Sequence, residues 1–259
     1  MLFRGTDLKR WKYEPGRGLS VFKENTNAAN GITRDRQGRL VACEAATRRV
    51  TREERDGSIT VIARSFQGRR LNFPNDVVVK SDGAIYFTDP WLSPGVPAPG
   101  ELDQIFAGVY RVSPDLSTLT LLVTDFIAPN GIAFSPDESV LYINDSARRH
   151  IRSFNVAPNG TLARETDRIF ADLSGPEHGV PDGMKVDTAG NVYCGGAGGL
   201  YILDPKGKKL GRIVHGYENT ANVAFGGDDW RTVYFCTRTS IGSFKVNIPG
   251  VSVPAAKNL

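Results

Sequence analysis

Three residues in this chain carry hard oxygen donors directly behind a proline: Asn75 in Pro74-Asn75-Asp76, Asn130 in Pro129-Asn130-Gly131 and Asp182 in Pro181-Asp182-Gly183. Two amide oxygens and one carboxylate make a site for a divalent cation, Ca²⁺ first, with Mg²⁺, Mn²⁺ or Zn²⁺ as other occupants. Three donors leave such a cation underfilled. Water or substrate must then complete its shell, as a catalytic metal requires. Asn or Asp before Gly is also an ordinary turn former, and at Asn30, which lacks the proline, that reading weighs as much as a functional one. The shared stiff proline favours a site for the other three.

Competing chemistries are missing. There is no G-x-S-x-G nucleophile elbow and no H-E-x-x-H, and His150, His178 and His215 have no metal-ligand spacing. His178 stands four residues before Asp182 and is a substrate-binding candidate, although a lone histidine is more often a surface or packing residue. Gly195-Gly196-Ala197-Gly198-Gly199 lacks both the Gly-Lys-Ser/Thr ending and the following helix of a phosphate loop, so it reads as a hairpin connection.

The donors sit in a repeated unit: a polar turn, a short apolar run, a tight turn and a second apolar run. Copies begin at Asn30, Asn75, Asn130 and Asp182, and a looser one at Asn222. Asn30 to Gly38, Asn75 to Gly83 and Asp182 to Gly190 are each eight residues apart, and successive copies start 45, 55, 52 and 40 residues apart. That period is the one expected of propeller blades. The sequence therefore predicts an all-β protein, one β-propeller domain over residues 1–259, with 248–259 as a tail. Innermost strands of a propeller begin near its central channel, where Asn75, Asn130 and Asp182 would converge. Counting back one period from Asn30 places the first turn before Met1, which predicts an incomplete first or last blade. The stretch Pro90–Gly108, with Trp91 and three further prolines, is a lid candidate, and Trp91 a substrate-binding one.

Bulk properties fit this reading. The chain has 259 residues, net charge +4 and 28 glycines, as many short strands and turns require. Arginine clusters such as Arg48-Arg49-Val50-Thr51-Arg52 lack the interleaved stacking aromatics of a nucleic-acid face, so no nucleic-acid partner is expected. No run of about 18 apolar residues is present to span a membrane. Cys43, Cys194 and Cys236 each end an apolar run without CxxC spacing, which predicts small buried thiols in a reducing cytoplasm.

Leu71-Asn72-Phe73-Pro74-Asn75-Asp76, Ile85-Tyr86-Phe87-Thr88-Asp89-Pro90, Pro129-Asn130-Gly131-Ile132-Ala133-Phe134-Ser135-Pro136-Asp137 and Pro181-Asp182-Gly183-Met184-Lys185-Val186-Asp187 closely resemble the gluconolactonase group of the SMP-30/gluconolactonase/LRE-like family. The resemblance covers nearly the whole chain. It implies a six-bladed propeller that hydrolyses sugar lactones with one divalent metal, Asn130 and Asp182 as ligands, Asp182 also as general base, and Asn75 holding substrate or metal-bound water. The family's remaining ligand, a glutamate in an E-G-P-like turn, would precede Met1. Phe73 stands where the family usually has a small residue beside substrate, and Cys43-Glu44-Ala45-Ala46 replaces its frequent C-E-H-G, which points to a less polar pocket or a different lactone. Two rival readings remain: a non-catalytic or metal-impaired propeller acting as a binding module, and a related esterase or phosphotriesterase.

Overall fold

The computed structural model describes residues 2–4, 8–91, 103–216 and 219–253. All of their regular structure is strand. Among the described residues no helix is long and apolar enough to cross a membrane. The chain divides into two compact units, Met1–Phe126 with Val253–Leu259, and Ile127–Ser252.

In the first unit β1 (Leu2–Arg4), β2 (Arg10–Glu14) and β3 (Gly18–Lys23) form a three-stranded sheet. A four-stranded sheet follows, made of β4 (Ala29–Arg34), β5 (Leu40–Glu44), β6 (Arg49–Glu53) and β7 (Ile59–Ala63). After a short ribbon, β8 (Ser65–Phe66) with β9 (Arg69–Arg70), comes β10 (Val77–Val79), β11 (Ile85–Asp89), β12 (Gly108–Val112) and β13 (Leu119–Val123). The second unit holds β14 (Pro129–Phe134), β15 (Val140–Asp145), β16 (His150–Val156) and β17 (Leu162–Asp172), then β18 (Met184–Val186), β19 (Val192–Gly196), β20 (Gly199–Leu203) and β21 (Lys209–Ile213), and finally β22 (Asn222–Gly226), β23 (Thr232–Cys236) and β24 (Ile241–Lys245).

Every sheet is an antiparallel meander in chain order, which is the β-propeller arrangement. Five blades are counted where six were expected. Four have four strands and β22–β24 makes a three-stranded fifth; β1–β3 is likewise three-stranded among the described residues and stands as a separate sheet at the N-terminal end. The C-terminal tail expectation also needs correction. Gly250 pairs with Asp187, and the N–H groups of Thr188 and Val251 donate to Pro249 O and Val186 O at 2.9 and 3.1 Å, so residues 249–251 are tied to the β18 sheet of the second unit. Residues 254–259 lie outside the described residues, as does 92–102, most of the lid candidate.

The repeated turn has a local cause. Asp35 Oδ1 accepts from the N–H groups of Gln37 and Arg39 at 3.0 and 2.9 Å, and Asp187 Oδ1 accepts from those of Ala189 and Asn191 at the same distances. Each aspartate closes an Asx-turn. The chain then reverses at Gly38 and Gly190, with φ of 81° and 85°. In the Asn130 copy Glu138 adopts φ 60° at that place, which explains why the third copy keeps the fold without the glycine.

Apolar faces pack between consecutive sheets. Val41, Cys43, Val50, Val77, Ile85, Phe87 and Tyr110 form one cluster of the first unit, in which the rings of Phe87 and Tyr110 stack 5.2 Å apart. In the second unit Tyr142, Ile151, Phe170, Met184, Cys194 and Leu203 join the β14–β17 and β18–β21 sheets. Cys43 and Cys194 are buried in these clusters as expected, Cys236 is half-buried, and all three are free thiols.

Three of the second strands end on a buried acid: Glu44, Asp89 and Asp145. Asp145 accepts from the N–H groups of Ile127, Ala128, Ala147 and Arg148 at 2.9 to 3.2 Å and from the Arg148 guanidinium at 3.0 Å. Burial pulls its pKa upward, but these donors outweigh burial and hold it below the ordinary carboxylate value. Among the described residues Asp89 has two such donors, the N–H groups of Asn72 and Phe73 at 2.8 and 2.6 Å. There burial wins and raises the pKa to about 7. A carboxyl that ionises later in the native than in the unfolded chain leaves stability unchanged in strong acid and lowers it between its two pKa values. We expect Asp89→Asn to remove a fall in thermal midpoint that the wild type shows between about pH 4 and about pH 7, measured as parallel melting curves across that range. Identical slopes in the two proteins would refute the assignment.

Candidate metal and substrate site

The donor positions fall where the repeats predict, at or just before the first strand of each sheet. In the Asn30, Asn130 and Asp182 repeats, the glycine that follows decides how closely the next sheet can approach. In the first unit the Gly31 N–H donates to Asn75 O at 2.7 Å, and a Cβ at Gly31 would lie 2.6 Å from that oxygen. In the second, a Cβ at Gly131 would lie 2.2 Å from Asp182 O, and one at Gly183 would lie 2.1 Å from the Asn222 side chain. Glycine is therefore required sterically, beyond any turn propensity.

Within the second unit Asn130 and Asp182 are joined by a short hydrogen-bonded path. Asn130 Nδ2 donates to Ser146 Oγ at 3.1 Å, and Ser146 Oγ donates to the carbonyl of Pro181, the residue before Asp182, at 2.5 Å. Buried Asn144 adds a second link: its Oδ1 accepts from the Gly131 N–H at 3.2 Å and its Nδ2 donates to Asp182 O at 2.5 Å. The Asp182 carboxylate is itself held. Its Oδ1 accepts from the Gly183 N–H at 3.1 Å and its Oδ2 from Asn219 Nδ2 at 3.2 Å, while Asn219 Oδ1 accepts from the Val180 N–H at 2.9 Å. Cys236 faces the same carboxylate. Burial first, and then the Asp182 charge, push its thiol up to about 11, so it stays protonated near neutrality.

Among the described residues no three His, Cys, Asp or Glu side chains converge in a metal-binding group. A cation held here would depend on amide, carboxylate and carbonyl oxygens. Asn130 and Asp182 supply that hard-donor chemistry and fit Ca²⁺ or a similar ion.

The remaining sequence candidates are placed as follows. Asn75 is buried in the first unit, its N–H donating to Thr88 O at 2.8 Å. Phe73, two residues earlier, is half-buried and fixed through its N–H to Asp89. Trp91 is half-buried, and its indole N–H is buried without an acceptor among the described residues. His178 is exposed on the segment between β17 and β18, and its carbonyl accepts from the Gly198 N–H at 2.7 Å. The glycine-rich stretch is the tight β19–β20 hairpin, with Gly196 opposite Gly199.

A profile described as the SMP-30/Gluconolactonase/LRE-like region matches residues 4–239. The chain belongs to that family. Its relatives in the SMP-30/gluconolactonase/LRE-like group include the gluconolactonase of Zymomonas mobilis, 31% identical over 229 residues, which are 78% of this chain and 62% of that protein. The pentonolactonase XacC of Haloferax volcanii is 27% identical over 231 residues, covering 87% and 72%. A solved gluconolactonase from Xanthomonas campestris superposes with a TM-score of 0.81 at 31% identity, covering 94% of this chain and 79% of that one. This chain thus spans less than two thirds of the Zymomonas protein's length.

Ser146, Asn144 and Asn219 are the site residues that sequence reasoning missed. Ser146 had a signal, since it directly follows the acid that ends a second strand. Asn219 lies in an irregular stretch outside the repeat register and had none. Because the Gly131 contact is with backbone, Gly131→Ala forces the two inner strands apart. We expect a loss of about 2 kcal/mol or more, read by urea denaturation, whereas Gly211→Ala, which meets nothing within 4 Å, leaves the midpoint within about 0.5 kcal/mol.

Proposed function

We propose that this chain is a metal-dependent hydrolase that opens the ester bond of a sugar lactone. The observation that carries the reading is the Asn130–Ser146–Pro181 hydrogen-bonded path, which ties the Asn130 amide to the backbone next to Asp182 in a chain of a lactonase-containing family. The relatives' names supply the substrate class: one is a gluconolactonase and another a pentonolactonase.

In this reading Asn130 and Asp182 hold one divalent cation, Ca²⁺ on hard-donor grounds, and Asn75 holds substrate or a water. When bound, the cation polarises the lactone carbonyl and stabilises the developing oxyanion. Asp182 takes the proton of the attacking water. Asn219 keeps that carboxylate from turning, since its amide holds Oδ2 while the Gly183 N–H holds Oδ1. Phe73, Trp91 and His178 are assigned to substrate binding. The single-domain organisation of residues 1–259 is part of the same proposal, and the free cysteines fit a cytoplasmic setting.

The reading is tested by Ca²⁺ and Zn²⁺ titration calorimetry with hydrolysis of D-glucono-1,5-lactone, a pentonolactone and an aryl organophosphate followed in the same samples. Asp182→Ala is expected to abolish both cation binding and turnover, Asn75→Ala to lower turnover at least tenfold, and His178→Ala to leave cation binding intact. Wild-type-like lactone hydrolysis by Asp182→Ala would sink the mechanism. Cation binding without turnover of any of the three esters would turn the protein into a binding module, and preference for the organophosphate would move it to the phosphotriesterases.

A further inference from the structure

We propose that Ser146 is a positioning residue that decides which end of the Asn130 carboxamide the site presents. This rests on the reading of Asn130 as a cation-holding residue. A serine hydroxyl has one proton and two lone pairs. Ser146 Oγ lies 2.5 Å from Pro181 O, a carbonyl that can only accept, so the proton is committed to that bond. Towards Asn130, 3.1 Å away, Oγ is left able only to accept. The atom of Asn130 that faces it must therefore be the amino group.

The two ends of a carboxamide have nearly the same shape, and packing alone separates them poorly. Here the single proton of Ser146 separates them. It keeps the NH₂ end turned inward against β15 and leaves Oδ1 as the end the site receives. The distinction matters because an amide nitrogen has no lone pair to give a hard cation, whereas the amide oxygen ligates it. Ser146 is itself fixed, since its N–H donates to Ala128 O at 3.0 Å and the preceding Asp145 clamps the chain on both sides of the β14–β15 pair.

The experiment is Ca²⁺ titration calorimetry on the full 259-residue chain, with thermal unfolding of each variant as a check on folding. Ser146→Ala removes the acceptor that selects the amino end and is expected to weaken Ca²⁺ binding about threefold to tenfold, the range of one net hydrogen bond. Ser146→Thr keeps the hydroxyl and stays within about twofold. Ser146→Cys, which keeps the volume but accepts poorly, replaces the alanine variant should the latter not fold. The discriminating background is Asn130→Asp, in which both ends of the side chain are oxygens and no end needs selecting. Adding Ser146→Ala there should cause no further loss. Unchanged affinity in Ser146→Ala, or an equal loss in both backgrounds, would overturn the proposal, the second outcome meaning that Ser146 acts only by holding Pro181. Asn130→Ala separates the two levels: if it leaves Ca²⁺ binding unchanged, the functional reading of Asn130 fails and this inference with it, whereas an effect of Asn130→Ala without one of Ser146→Ala refutes the inference alone.

Discussion

The approach of the inner strands depends on the absence of a Cβ at Gly31, Gly131 and Gly183. At Gly31, Gly131 and Gly183 the backbone or side chain of the next inner strand comes within 2.1 to 2.6 Å of where a methyl carbon would sit, a separation that real carbon atoms do not reach. The sheets approach one another behind Asn30, Asn130 and Asp182 because the next residue has no side chain, whereas Asn75 is followed by Asp76. The Asn-Gly and Asp-Gly pairs are therefore a packing requirement as much as a turn signal. A substitution there acts on the spacing of two strands, and through it on both donors at once.

Around this close approach, charge and hydrogen bonding are divided by depth. The acids that end the second strands, Glu44 and Asp145, are saturated by backbone N–H groups, hydroxyls and arginines, including Arg49 at 2.7 Å from Glu44 and Arg148 at 3.0 Å from Asp145. Several clustered arginines are thus engaged within their own sheets: Arg52 meets Glu54 at 2.8 Å and Arg152 meets Asp167 at 3.0 Å. Asp89 departs from the pattern because the described residues give it two backbone donors inside an apolar cluster. The same structural position therefore carries opposite electrostatics in different sheets, decided by how many donors the following turn supplies.

Much of this was legible in the sequence. The repeat gave the sheets and their inner strands because Asx-turn, apolar run and glycine recur at fixed spacing, and each has a local cause that survives in isolation. The places of Asn130 and Asp182 at or just before the start of inner strands were legible for the same reason. What was not legible is what depends on contacts between copies. Ser146 and Asn144 act across 35 and 38 residues of chain, Asn219 acts across 37 from outside any repeat, and no periodicity reports such pairings. Residues 249–251 look like a tail because one valine and two turn formers carry no pattern, yet their backbone pairs with β18 and Gly250 meets the Phe225 ring. At the N-terminus the apolar runs were recognised as strands, and β1–β3 do pair as a three-stranded sheet, but it stands outside the five blades counted.

The ordering of the donors then follows from neutral groups alone. Pro181 contributes a carbonyl, Ser146 one proton, Asn130 an amino group, Asn144 an amide that bridges Gly131 and Asp182, and Asn219 an amide that bridges Val180 and Asp182. None of these groups can change charge near neutral pH, so the hydrogen bonds that orient Asn130 through Ser146 and Pro181 do not switch with protonation of their own donors and acceptors.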